Sequence, residues 1–170
     1  MRKVCNDPVI YSTMLNNILP QNFKEDITKM WNTHQPWKKY TIEYNQELLD
    51  YEKKLEPLYN SFCNSLKDTF DIELTEKQKY WLYISDNNWH STHWHHHKKS
   101  ATIVGVYYIE VHKDTPIEFE NTNKDEVYTY YPVNNEMLFF SSSLVHRPIP
   151  SNSLRISLNL EVYANRDPLI

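Results

Sequence analysis

Between residues 41 and 70, apolar side chains recur every three or four positions: Leu48, Leu49, Leu55, Leu58, Tyr59, Phe62, Leu66 and Phe70, with Glu, Lys and Asp between them. That period predicts amphipathic helix. Pro57 interrupts it, so the spacing predicts a kink, or two successive helices with Pro57 near the start of the second. A shorter helix is expected from Phe23 to Trp31. At Ile103 the period drops to two. Ile103, Gly105, Tyr107, Ile109 and Val111 then share one face, and Val104, Val106 and Tyr108 the other. Both faces are apolar or aromatic, as in a strand central to a sandwich or barrel. Short strands are predicted at Pro116–Glu120, Val127–Tyr131, Glu136–Phe140 and Ser153–Tyr163. The last puts Leu154, Ile156, Leu158, Leu160 and Val162 on one side and Arg155, Ser157, Asn159 and Glu161 on the other. Helices first and strands later predict an α+β arrangement over residues 1–170. Residues 1–75 are expected to form mainly helical support, and residues 76–165 an antiparallel β core.

Composition narrows the function classes. A chain of 170 residues fits one compact domain. Its 18 Lys+Arg against 22 Asp+Glu leave a net charge of −4, which argues against a protein that wraps nucleic acid or coats an anionic membrane. Cys5 and Cys63 have no close Cys partner in sequence, so a zinc ribbon and a disulfide-stapled scaffold fit poorly. No apolar run approaches the roughly 20 residues of a membrane helix, and residues 1–7 lack the apolar core of a signal peptide. A cytoplasmic location is therefore expected, that of the host if the chain is viral, as its Asn-, Lys-, Ile- and Tyr-rich composition suits an AT-rich genome. Glycine occurs once, at Gly105, where an average chain would carry about 12. Turns must then come from Asn, Asp, Ser and Pro, with Asn16-Asn17, Asn87-Asn88 and Asn134-Asn135 as candidates.

Histidine is concentrated: five of eight lie between His90 and His97. In an extended segment His93, His95 and His97 project to one side and Trp94 and His96 to the other. Imidazoles two residues apart can converge on one cation, and imidazole suits Fe, Zn, Cu and Ni. The plainer reading is a solvated polar stretch. A third ligand must come from elsewhere in the fold, and downstream stand His112, at a strand end, and His146, after a serine-rich bend. Arg155 begins the polar face of the last strand. Inside a barrel it would call for an anion; on the outside, Arg155 and Asn159 would be simply solvated. Arg147, in the connection beside Pro148, is the control: changing it to Ala is expected to be near neutral for binding such an anion.

In order, His95-His96-His97-Lys98-Lys99-Ser100, Val104-Gly105-Val106-Tyr107-Tyr108-Ile109, Phe139-Phe140-Ser141-Ser142 with His146, and Arg155-Ile156-Ser157-Leu158-Asn159 resemble the iron(II)- and 2-oxoglutarate-dependent oxygenases. Within them the sequence is similar to a small bacterial and phage branch. The likeness covers about Trp81 to Val162. It implies a double-stranded β-helix (jelly roll), with the N-terminal helices as a buttress. It implies Fe(II) held by His95, His97 and His146, with His93 and His95 as the alternative register. It further implies 2-oxoglutarate as co-substrate, its distal carboxylate anchored by Arg155, with Ser157, Asn159 and one of Tyr107 or Tyr108 beside it. The family's second ligand is usually a carboxylate, whereas His97 stands here; the alternative is a site completed by Asp86, Glu110 or Glu118. The rival is a non-catalytic, cupin-like metal-binding or structural phage protein. A zinc hydrolase lacks an obvious adjacent general base. The substrate, and the choice between monomer and homodimer, are open.

Overall fold

The computed structural model describes residues 1–33, 52–75, 79–86, 93–123, 125–149 and 151–170. The expected helical turns over 41–51, the Asn87-Asn88 turn, Trp89 and His90 lie outside them. The described residues form nine strands: β1 (Arg2–Asn6), β2 (Val9–Met14), β3 (Lys79–Ser85), β4 (Ile103–Glu110), β5 (Ile117–Glu120), β6 (Val127–Tyr130), β7 (Glu136–Ser141), β8 (His146–Pro148) and β9 (Arg155–Val162). The described helices are α1 (Phe23–Thr33) and α2 (Glu52–Phe70). Pro57 lies within α2.

Six strands form one antiparallel sheet in the order β1-β2-β7-β4-β9-β3, and β6-β5-β8 form a second. His95 extends the smaller sheet beyond β8 through a bridge to His146. From β3 onward the chain passes back and forth between the sheets, which is the winding of a double-stranded β-helix. The expected fold class is the one observed. The residues before the helices are not helical, however: β1 and β2 add an edge hairpin to the larger sheet.

The helices cover the outer face of the larger sheet. Phe23, Ile27, Leu55, Leu58, Phe62 and Leu66 pack there on Ile103, Tyr107, Phe139, Leu158 and Leu160. Each such side chain is worth about 1.5–3 kcal/mol when fully buried. Gly105 lies under α2, where a Cβ would stand 2.5 Å from Phe62 Cε2. The lone glycine is thus a packing requirement, and turns are made otherwise. Asn17 and Asn135 take the left-handed conformation, which Asn tolerates better than most residues.

Between the sheets lies a second core of Ile10, Val104, Val106, Tyr108, Ile117, Phe119, Leu138 and Phe140. The polar face of β9 points into this interior, with Arg155, Ser157 and Glu161 all buried. Strand pairing builds rows across it. Ser157 stands between Tyr83 and Tyr108, and Asn159 between Trp81 and Val106.

Candidate metal centre

His95 and His146 are clamped by reciprocal backbone bonds, His95 N to His146 O at 3.0 Å and His146 N to His95 O at 2.9 Å. The His97 N–H donates to the Ser142 carbonyl at 2.7 Å. These bonds hold residues 95–97 extended against the chain leading into β8, and the period of two turns His95 and His97 the same way. Ring centroids of His95 and His146 are 4.4 Å apart, and His97 stands 5.2 Å from each. One ligand atom from each of the three lies within 4.8 Å of the others.

The hydrogen bonds orient the rings. A carbonyl only accepts, so Nδ1 is the donor in His95 to His93 O at 3.0 Å and in His146 to Leu144 O at 2.9 Å. Nε2 then keeps its lone pair in the neutral ring. In His97, Nδ1 lies 2.7 Å from Glu161 Oε1, and Nε2 is buried without a hydrogen-bond partner. An unpartnered buried nitrogen costs free energy that a metal would offset. Burial pushes the His146 imidazolium well below its ordinary range, helped by the facing His95 and opposed by the Leu144 bond. His95 sits at the open mouth, yet the protein around it lowers its pKa too, against the His93 bond. Both rings are therefore neutral ligands near pH 7. At metal–nitrogen distances of 2.0–2.1 Å, two donors on one ion stand at most about 4.2 Å apart. The widest pair needs a small side-chain rotation to close, and the donor set fits a borderline divalent metal.

The other expected candidates fall elsewhere. His93 contributes its carbonyl to His95, and His96 Nδ1 faces the Lys98 N–H at 3.4 Å on the exposed side. His112 pairs with Glu110 at 3.2 Å, and Lys24 also pairs with Glu110. Glu118 binds Arg147, with Nε at 2.8 Å and Nη2 at 2.7 Å. Neither Glu110, Glu118 nor Asp86 joins the cluster found among the described residues. Arg147 also lies over the Trp94 ring at 4.4 Å. It ties β8 to β5 and to the segment before His95.

Beside the histidines opens a cleft of about 60 Å³, lined by His95, His146, Tyr83, Tyr108, Ser157 and Asn159, with Arg155 at its wall. Arg155 is 2% exposed. One Nη2 bond goes to the Pro116 carbonyl, and Nε is unpartnered. Burial opposes its charge, while Tyr108, Tyr83 and Asp114 favour it. No carboxylate among the described residues forms an ion pair with it. The Tyr108 hydroxyl is likewise buried and unpartnered, and burial raises its pKa, keeping it a neutral donor. Tyr107 is corrected out of this set. Strand alternation sends it to the helix side, where its hydroxyl meets Leu15 O and Asn135 Oδ1, each at 3.0 Å. Two neighbours were missed in the sequence. Trp81 lines the cleft and packs on His97, and Glu161 stands behind His97. Trp81 belongs to the aromatic run Tyr80-Trp81-Leu82-Tyr83-Ile84, a strand signal that was there to be read.

No family profile and no curated protein matches the chain in sequence. Solved structures do match in shape. A Pseudomonas putida prolyl-4-hydroxylase is 11% identical, with a TM-score of 0.62 over 92% of this chain and 88% of that one. A Trichoplax adhaerens prolyl hydroxylase, in complex with a hypoxia inducible factor peptide fragment, is 12% identical, with a TM-score of 0.57 over 89% and 82%. NgTET1 in complex with 5mC DNA is 17% identical, with a TM-score of 0.58 over 94% and 74%. At these identities the likeness carries the fold, and the fold is the double-stranded β-helix shared with prolyl hydroxylases.

Proposed function

We propose that this chain is an Fe(II)- and 2-oxoglutarate-dependent dioxygenase that hydroxylates a substrate still to be identified. The observation that carries the reading is a single cleft with two unfilled demands. At one side stand the three imidazoles, with lone pairs available at Nε2. At the other stands a buried guanidinium without an ion-pair partner, beside an unpartnered phenol. A buried, unpaired charge costs several kcal/mol, and a ligand carboxylate would offset that cost.

His95, His97 and His146 would hold Fe(II). When bound, iron supplies the oxygen chemistry, in which O₂ and 2-oxoglutarate yield succinate, CO₂ and a hydroxylated product. The protein residues supply recognition. Arg155 donates to the distal carboxylate of 2-oxoglutarate through the free Nε–H, and Tyr108 donates its hydroxyl to the same group. Ser157 and Asn159 bound the cleft, and Trp81 and the core residues around Tyr108 exclude water. A hydrolytic use of the same histidines would need a general base, and among the described residues no carboxylate lines the cleft.

Calorimetry on protein loaded with Mn(II), which prevents turnover, tests the reading. Wild type should bind 2-oxoglutarate, and Arg155→Ala should bind it at least a hundredfold more weakly with metal still in place. Breaking a buried charge pair costs on the order of 3–5 kcal/mol, and each 1.4 kcal/mol is tenfold. Arg155→Lys should recover only part, because an ammonium lacks the planar fork. Mn(II)-loaded wild type that ignores 2-oxoglutarate would instead favour a non-catalytic metal-binding protein.

A further inference from the structure

Glu161 is 3% exposed at the far end of the interior face of β9. Its Oε1 is 2.7 Å from His97 Nδ1 and accepts from Ser100 Oγ at 2.8 Å. Among the described residues no Lys or Arg pairs with it. A carboxylate in the interior between two sheets is costly unless a cation or several donors compensate it, and among the described residues His97 and one hydroxyl are the groups that bond to it. On the other side of the same ring, His97 Nε2 is buried and unpartnered. The ring thus joins a carboxylate lacking a cation to a vacant donor atom facing two more imidazoles.

The geometry points to Glu161 as the positioning residue of the metal centre: through His97 it holds, behind the ligand, the negative charge that a His-x-carboxylate pair places on the metal itself. The inference rests on the reading of the three histidines as metal ligands. Accepting from Nδ1–H fixes the tautomer, points Nε2 at the cluster and makes that nitrogen more basic. The charge matters beyond the orientation, since three neutral imidazoles leave a divalent ion with both charges uncompensated. Ser100 steers the carboxylate, because its hydroxyl binds the same oxygen that faces His97. Seen this way, His97 in place of a carboxylate is no loss: the acid has moved from the second ligand position to the strand behind it.

The test uses Co(II) alone on the full chain, read by its visible spectrum and by competition with a chelator. Outer carboxylates on metal-bound histidines are typically worth 10–100-fold in metal affinity. Glu161→Gln keeps an oxygen to accept from Nδ1–H but removes the charge. It should weaken Co(II) binding 10–100-fold and shift the ligand-field bands, while the metal-free protein melts no lower than wild type. Glu161→Ala should lose at least as much affinity. Co(II) affinity of Glu161→Gln within threefold of wild type, with an unchanged spectrum, would overturn the assignment. Should the variants fail to fold, Co(II)-loaded wild type still decides. Ligation by all three Nε2 atoms leaves three Nδ1–H protons, so its proton NMR spectrum should show three paramagnetically shifted, exchangeable signals. The His97 signal, buried against Glu161, should exchange slowest, and its absence, or exchange faster than that of the other two, would overturn the inference. Wild type that takes up no Co(II) would remove the metal centre itself, an outcome separate from a centre indifferent to Glu161.

Discussion

At His96 and His97 two adjacent imidazoles meet opposite environments. Extended backbone turns His97 toward Glu161 and the other two rings, and leaves His96 on the exposed side near the Lys98 N–H. His95→Ala and His146→Ala should each abolish stoichiometric Fe(II) binding in an anaerobic titration, since two imidazoles hold the ion far less well than three. His96→Ala should bind iron as wild type does. Iron lost in His96→Ala but kept in His95→Ala would mean that the chain runs in the other register. The sequence already distinguished these neighbours by parity, and it paired His146 and Arg155 with the cluster through their order along the chain. It could not tell that Glu110, Glu118 and Asp86 all stay out of the cluster found among the described residues. Glu110 is held by Lys24 of α1 and by the neighbouring His112, and Glu118 by Arg147 of β8; the contacts from α1 and β8 are ones no local pattern encodes.

Among the elements, β4, β5, β6, β7 and β9 were legible in the sequence, and β1, β2, β3 and β8 were not. β4 and β9 each run eight residues, long enough for a period of two to stand out. β8 has three residues, too few to show a period. β1 and β2 form an edge hairpin whose apolar residues are divided between both sides of the sheet, so no clean alternation marked them, although Val9-Ile10-Tyr11 is a strand-forming run. Tyr107 and Tyr108 were inseparable because both faces of β4 are apolar; only packing shows that the helices cover one of them. That packing gives a prediction at Gly105. Adding a Cβ there forces Phe62 away from Phe139, on which it is stacked at a centroid distance of 5.5 Å. Gly105→Ala should destabilise by about 1–3 kcal/mol, the usual cost of overpacking a core, read as a lower midpoint in denaturant. Phe62→Leu in the same chain should recover part of that loss, because the ring carbons that collide are gone. An unchanged midpoint for Gly105→Ala would mean that α2 does not press on β4 as described.

On the scale of the whole molecule, the interior of the jelly roll is polarised along β9. Glu161 stands at the end next to His97 and Arg155 six residues away, about 20 Å of strand rise, with the polar row of Ser157 and Asn159 between them. Folding without ligand leaves the Arg155 guanidinium and the His97 Nε2 buried with bonds unmade, so ligands that fill both ends should stabilise the folded chain in two separable steps. Each stabilises by RT ln(1 + [L]/Kd), about 2.7 kcal/mol at a hundredfold excess over Kd. For a chain of this length 1 kcal/mol moves the melting temperature by about 2–4 °C, so each step is worth roughly 5–11 °C on those figures. Mn(II) alone should raise the melting temperature of wild type, and 2-oxoglutarate should raise it again only once Mn(II) is present. In Arg155→Ala the first rise should persist and the second vanish; in His146→Ala both should vanish. A second rise of equal size without metal would mean that Arg155 binds the dicarboxylate by itself, and that the two ends of the cleft do not act on one ligand.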